Sequence, residues 1–211
     1  MAASPREPEA TPLPEPAPSH RAGLPSEEDV IRAAARVFLT TGGLEMRQLA
    51  ARLGIGRATL YRWKGSRDDL LSDVLLWLGL RNLRRSEADV KTPPGPRRVL
   101  DVHALHISRM SDSPGLRAFV RREPKAASRL LLDAGGRVHV GVTRALADFI
   151  RRQEIEGRWR APLGADRLAD IISRVDETFM YADLIANAEP SADTPQLLFE
   201  MVVLGLQHPL D

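Results

Sequence analysis

Apolar residues recur at helical spacing along most of the chain, and no segment shows the alternation that is typical of a β-strand. The first apolar stripe extends from Val30 to Phe38. It follows Ser26, whose spacing to Asp29 is that of a capping box, and it is followed by the helix-ending pair Gly42 and Gly43. The pattern therefore predicts a first helix that begins directly after Ser26 and ends before the two glycines.

Three more helices are predicted before the first cluster of prolines. A short one extends from about Met46 to Leu53, and Gly54 ends it. After a turn, a third helix is predicted from about Arg57 to Trp63. Ser66 caps a fourth, which carries acidic residues in its first turn and continues to about Ala88.

Proline and glycine divide the rest of the sequence. Lys91 to Pro96 holds three prolines and a glycine, which cannot continue a helix. Five further helices are predicted, and Gly135 and Gly136 are expected to split or kink the third of them. Their approximate bounds are 97–111, 114–122, 124–156, 164–188 and 193–207. We expect an all-α protein of about nine helices, divided into a disordered proline-rich tail (1–25), a head with its connecting helix (26–90) and a helical domain (91–211).

Composition excludes several classes of protein without selecting one. The chain has 211 residues, of which 43% are hydrophobic and 27% are charged, as in ordinary globular proteins. It has no cysteine, which excludes disulfides, thiolate metal sites and cysteine nucleophiles. Because the sequence lacks both a long apolar run and the apolar core of a signal peptide, we expect a cytoplasmic protein without a membrane span.

The basic residues are concentrated in one segment. The net charge is only +2, yet the segment from Met46 to Arg67 contains six basic residues and no acidic one: Arg47, Arg52, Arg57, Arg62, Lys64 and Arg67. Such a block in a nearly neutral protein indicates binding to a polyanion, although a solvated helix face has the same composition.

The same segment has the pattern of a helix-turn-helix. Two short helices meet at a glycine-bearing turn, and the second helix offers polar and basic residues to the outside. Five apolar residues are suited to hold the two helices together: Leu49, Ala50, Leu53, Ile55 and Leu60. We therefore expect the third helix to enter the major groove of double-stranded DNA.

The order of residues from Arg47 to Leu71, R-Q-L-A-A-R-L-G-I-G-R-A-T-L-Y-R-W-K-G-S-R-D-D-L-L, resembles the TetR family of regulators. Three pairs match at the family's spacing, namely Gly54-Ile55, Leu60-Tyr61 and Ser66-Arg67. The layout of the later helices is also similar to that of the family. The resemblance implies a three-helix DNA-binding head and a C-terminal bundle that binds a ligand and forms a homodimer. The C-terminal half also resembles the branch that controls degradation of lactone quorum signals.

Position within the helix-turn-helix assigns a role to each polar residue. Arg57 and Thr59 are the best candidates for reading bases, because arginine can pair with guanine and threonine can contact the thymine methyl; Arg62 is a lesser candidate. The others are expected to grip phosphates: Arg47, Tyr61, Trp63, Lys64 and Arg67. Lys64 stands where the family has a buried Phe, so we expect its stem along the surface and its ammonium near phosphate or water. A solvated charge is the alternative for each arginine, and Leu60 is expected in the core.

The C-terminal domain is expected to supply a dimer interface and an effector cavity. Resemblance and apolar content place the interface in the last two helices, 164–188 and 193–207, although an intramolecular core has the same composition. The candidate ligand-binding residues are His103, His106 and Met110 on one face of the fifth helix, with Phe119, Phe149, Phe179, Met180 and Tyr181. Core packing is the alternative for each. Their character predicts a modest-sized, largely apolar or mixed effector.

Other functions are less well supported by the sequence. His103 and His106 have H-x-x-H spacing without a convincing third ligand nearby, so we expect neither a metal nor a cofactor. The absence of a nucleophile elbow, a zinc-protease motif or a phosphate-binding loop disfavours an enzyme. The alternative is a helical module that binds polyanions or an acidic partner protein without sequence specificity. The preferred interpretation is a sequence-specific regulator, released from a palindromic operator by a ligand.

Overall fold

The computed structural model describes residues 25–182, 185 and 193–205, and within these residues the protein is all-α. The helices are α1 (Glu27–Thr41), α2 (Met46–Arg52), α3 (Arg57–Lys64), α4 (Arg67–Asp89), α5 (Pro96–Ser111), α6 (Pro114–Arg122), α7 (Pro124–Leu131), α8 (Arg137–Glu156), α9 (Ala165–Asp176) and α10 (Asp193–Glu200). Glu177–Ala182 and Met201–Gly205 continue α9 and α10 as π-helical turns. No described helix is long and apolar enough to cross a lipid bilayer.

The predicted all-α fold is confirmed, and the boundaries agree closely in the first half of the chain. The long helix predicted over 124–156 is divided into α7 and α8, and the break contains the two glycines that suggested it. The predicted tail lies outside the described residues except for Pro25, and the predictions for 183–184, 186–192 and 206–211 also lie outside them.

Local chemistry explains where the helices of the head begin and end. Ser26 and Ser66 each form a complete capping box, in which Asp29 N donates to Ser26 Oγ and Asp69 N to Ser66 Oγ, both over 3.1 Å. Gly54 has φ +65° in the turn between α2 and α3, a conformation that a side chain disfavours. The two capping boxes therefore fix where α1 and α4 begin, and Gly54 allows the turn between α2 and α3.

The head packs directly against the C-terminal domain through α1 and α6. A Cβ at Gly115 of α6 would lie 2.5 Å from Phe38 O and 2.7 Å from Leu39 Cα of α1, so only glycine allows this approach. One apolar core cluster extends from Val30 and Leu60 in the head to Leu131 in α7. A second cluster joins α5, α8, α9 and α10 around Phe149. The head is therefore held to the body by a continuous core.

Candidate nucleic-acid interface and internal cavity

The outer face of α3 presents polar and basic side chains to solvent. Leu60 is fully buried and braces the helix against the head, as expected from the sequence. Arg57 and Arg62 are exposed, Thr59 is half-buried, and Tyr61 is 42% exposed. Arg47 is exposed on α2 beside them. These side chains are free to meet a polyanion without rearrangement of the core.

Lys64 does not lie on the surface as expected. Its side chain is 4% exposed, and its Nζ lies 3.1 Å from Glu27 Oε2 and 3.5 Å from Asp73 Oδ2. The two carboxylates come from α1 and α4 and compensate the ammonium in the position where the family has an apolar residue. The expected phosphate contact is therefore replaced by an internal ion pair.

Arg67 is also engaged within the protein. Its Nη1 and Nη2 donate to Glu123 over 2.8 and 2.5 Å, and its Nε donates to Leu44 O over 2.7 Å. The bond to Glu123 raises the pKa of Arg67 above its ordinary value. This bidentate pair joins α4 to the α6–α7 junction, so the guanidinium ties the head to the body, while about a third of the Arg67 side chain stays exposed. Trp63 is half-buried against the head core and keeps part of its ring accessible.

A cavity of about 50 Å³ lies between α4, α5, α7, α8 and α9. Four of the predicted residues line it: His103, His106, Met180 and Tyr181. Met110 lies on a different, more open cavity of about 260 Å³, bounded by α1, α4, α5 and α6. The three ligand-binding residues predicted on α5 therefore lie on two different cavities, His103 and His106 on the first and Met110 on the second.

None of the three predicted phenylalanines lines the cavity of about 50 Å³. Phe119 and Phe149 are fully buried in the two apolar clusters, so their assignment to ligand binding is corrected to core packing. Phe179 is half-buried and does not belong to the lining of the cavity. Phe119 packs edge-on against Phe38, with ring centroids 5.5 Å apart, and so contributes to the α1–α6 contact.

Each of the three histidines in the cavity has a defined polar partner. His103 Nε2 lies 2.9 Å from Asp176 Oδ2, and His139 Nδ1 lies 2.6 Å from Glu177 Oε1. Asn82 donates to His106. Burial raises the pKa of Glu177 and lowers that of His106 to about 3. Within the described residues, no group of three side chains is arranged to hold a metal ion.

The comparisons with known proteins agree with this arrangement. Residues 94–204 match the family model for the tetracyclin repressor-like C-terminal domain. The structure is similar to that of the transcriptional repressor QsdR from R. erythropolis, with 30% sequence identity, a TM-score of 0.75, and coverage of 83% of this chain and 93% of that one. This chain belongs to the TetR family.

More distant TetR-family structures share the fold. The repressor AlkX from Dietzia sp. has 20% identity and a TM-score of 0.64, with coverage of 88% of this chain and 98% of that one. A regulator from Streptomyces coelicolor has 15% identity and a TM-score of 0.51, with coverage of 86% and 81%. No curated protein sequence matches the chain significantly. Membership in the TetR family makes this protein a DNA-binding transcriptional regulator, in a family that is not enzymatic and that typically forms dimers.

In this TetR-family protein, α10 divides its apolar residues between two directions. Phe199 and Val203 are buried in the core of the C-terminal domain. Four large apolar side chains on the same helix and its continuation remain exposed: Leu197 (60%), Leu198 (39%), Met201 (63%) and Leu204 (37%). On α9, Leu168 and Ile172 are buried within the chain. They belong to the intramolecular core, which was the alternative to a dimer interface for this helix. The exposed face of α10 is available to a second subunit.

Sequence reasoning missed most of the polar residues of the cavity. His139, Asp176 and Glu177 line the cavity and were not predicted, nor was Asn82, which contacts His106 from behind the lining, because the partners of these residues lie 24 to 73 positions away along the chain. No local motif signals such pairs. Only the packing of the helices shows that these polar residues are buried next to one another.

Proposed function

We propose that this TetR-family regulator is a repressor, that it binds a palindromic operator as a homodimer, and that a small-molecule effector in the C-terminal cavity releases it. The observation that carries the proposal is the geometry of α3. Its Leu60 is fully buried, while Arg57, Tyr61 and Arg62 face solvent. A short rigid helix with this polarity suits the major groove.

We assign the accessible side chains to two roles: some read the bases, and others contact phosphates and so position α3 on the DNA. Arg57 and Thr59 are placed to read bases, with Arg62 as a further candidate. Arg47, Tyr61 and the accessible part of Trp63 are placed to contact phosphates and to fix the register of α3. Lys64 and Arg67 act instead as internal ties, because both cations already have carboxylate partners.

A single α3 contacts few base pairs, and a two-fold dimer solves this by presenting two such helices about 34–36 Å apart. The exposed apolar face of α10 supports this assembly. Leu197 and Met201 are each about three-fifths exposed in the isolated chain, and pairing with a second α10 would remove them from water.

The effector would act through α4. This helix contributes Leu83 to the cavity, and its first turn packs against the head. We propose that residues 26–90 move together as the DNA-binding domain and that 91–211 form the ligand-binding and dimerisation domain. A ligand that favours one position of α4 changes the separation of the two heads and therefore the fit to the operator.

Selection of bound DNA from a random pool tests the proposal most directly. A palindromic consensus is expected, and Arg57→Ala and Tyr61→Ala should each weaken binding to it at least tenfold in a titration at fixed salt. Arg144→Ala, on the exposed surface of α8, is the matched control and should leave affinity unchanged. If affinity for the selected sequence equals affinity for random DNA, or if both α3 variants bind like wild type, the repressor proposal fails.

A further inference from the structure

The contact with Asn82 determines which nitrogen of the His106 ring carries the proton. Asn82 Nδ2 lies 2.9 Å from His106 O and 3.0 Å from His106 Nδ1. A backbone carbonyl oxygen can only accept a hydrogen bond, so the side-chain atom facing it is the amide NH₂. The same NH₂ group then donates its second proton to Nδ1, which must carry a lone pair. The ring proton therefore lies on Nε2.

This Nε2–H group lacks a partner among the described residues, although His106 lines the cavity. Burial lowers the pKa of His106 to about 3, so the imidazole is neutral at physiological pH and keeps this single tautomer. A hydrogen-bond donor without a protein partner can be satisfied by an acceptor that enters the cavity. The cavity thus has a donor of defined tautomer on α5 that a ligand acceptor can bind.

A second polar atom in the same lining also lacks a partner. His103 is 4% exposed, and its Nε2 faces Asp176, but its buried Nδ1 makes no hydrogen bond to any residue that the structure describes. Tyr181 adds a phenol whose pKa is raised by burial and by the nearby Asp176 and Glu177, so it stays protonated. These groups indicate that a ligand in this cavity meets polar atoms as well as apolar side chains.

The charges of the lining decide what kind of polar group fits. The two lining carboxylates, Asp176 and Glu177, already face His103 and His139. Among the described residues that line this cavity there is no lysine or arginine, and half of them are aliphatic side chains or methionine. A carboxylate ligand would therefore lose its hydration next to two acids without gaining a cation of its own. A neutral carbonyl oxygen would accept the His106 proton without that cost.

We propose that the cavity selects a neutral effector with an apolar body and a hydrogen-bond-accepting carbonyl group, bound by His106 Nε2–H, and that it rejects the corresponding carboxylates. This inference rests on the proposed function, since it specifies the effector of the same site. The volume of about 50 Å³ corresponds to about four water molecules, so a ligand with more heavy atoms must displace side chains of the lining as it enters.

The test compares heptan-2-one with hexanoate, which are similar in length and differ in charge. Isothermal titration of the full-length protein should show heptan-2-one binding at least tenfold more tightly. His106→Phe keeps the ring volume but removes the donor, and it should weaken heptan-2-one binding about tenfold. Ser108→Ala is the control: it removes an exposed hydroxyl on the same helix, outside the cavity lining, and affinity should stay within about twofold.

A spectroscopic readout makes the test independent of the stability of the variant. Imidazole ¹⁵N–¹H correlation spectra of the wild-type protein should show His106 protonated at Nε2, and that resonance should shift when heptan-2-one is added. Protonation at Nδ1, hexanoate binding as tightly as the ketone, binding of neither probe, or unchanged ketone affinity in His106→Phe would each overturn the inference. None of these measurements involves DNA, so a failure here is distinguishable from a failure of operator binding.

Discussion

Two substitutions of Lys64 measure how deeply this side chain is buried. Lys64→Met removes the ammonium and keeps most of the aliphatic stem, whereas Lys64→Ala removes both. If the side chain lay on the surface, as the sequence alone suggested, each variant would change the free energy of unfolding by less than about 0.5 kcal/mol. The structure predicts a different and asymmetric result.

The magnitude follows from the surroundings of the ammonium. Glu27 is 70% exposed and regains water when Lys64 is lost, and Asp73 keeps its ion pair with Arg137. Loss of the charge alone should therefore cost about 1 kcal/mol or less. The Lys64 side chain is 4% exposed, so removing its stem leaves a void, and Lys64→Ala should be less stable than Lys64→Met by about 2 kcal/mol or more.

Urea unfolding at one fixed protomer concentration measures this difference, since the stability of a dimer depends on concentration. DNA binding gives a second readout. Each phosphate contact contributes about 0.9 to the slope of log affinity against log salt. Lys64→Met should leave that slope unchanged, while Arg47→Ala should reduce it by about 0.9 per subunit. Equal stability of the two Lys64 variants, or a reduced slope in Lys64→Met, would refute the buried position.

Three further predictions concern contacts between parts of the molecule. Gly115→Ala should destabilise the protein by about 2 kcal/mol or more in urea unfolding, because its Cβ meets the backbone of α1, whereas Gly43→Ala, with open space around it, should change stability by less than about 0.5 kcal/mol; equal effects would contradict the close approach. A double-mutant cycle of Arg67→Ala and Glu123→Ala should give a coupling of about 1 kcal/mol, and strict additivity would contradict the bidentate pair. Met201→Glu should shift sedimentation from dimer to monomer and weaken operator binding, and an unchanged dimer would place the interface elsewhere.

The sequence predicted those parts of the fold that depend on neighbouring residues. The capping boxes at Ser26 and Ser66 need partners three positions away, and the turn at Gly54 depends on one residue's backbone freedom. The inward position of Leu60 follows from helical periodicity, and two short helices that meet at a glycine-bearing turn located the helix-turn-helix before the resemblance was considered. For this reason the head could be predicted nearly residue by residue.

The predictions that failed concern charges and aromatic rings whose partners are remote. Lys64 is buried because Glu27, 37 positions earlier, reaches it from α1, and Arg67 is occupied by Glu123, 56 positions later. Neither acid has a sequence feature that marks it as a partner. Phe119 and Phe149 are typical of a cavity wall and of a core alike, and only the packing of helices decides between the two.

The ion pairs of α4 bear on how an effector could move the head. The helix has 23 residues and is therefore about 35 Å long. Its first turns are tied to the body rather than to the head alone: Asp68 pairs with Arg129 of α7, and Asp73 pairs with Arg137 at the start of α8. Val138 and His139, directly after Arg137, line the cavity. A ligand that displaces the start of α8 must therefore break these pairs or carry the N-terminal turns of α4 with it, and in the second case the position of α3 changes without any contact between ligand and head.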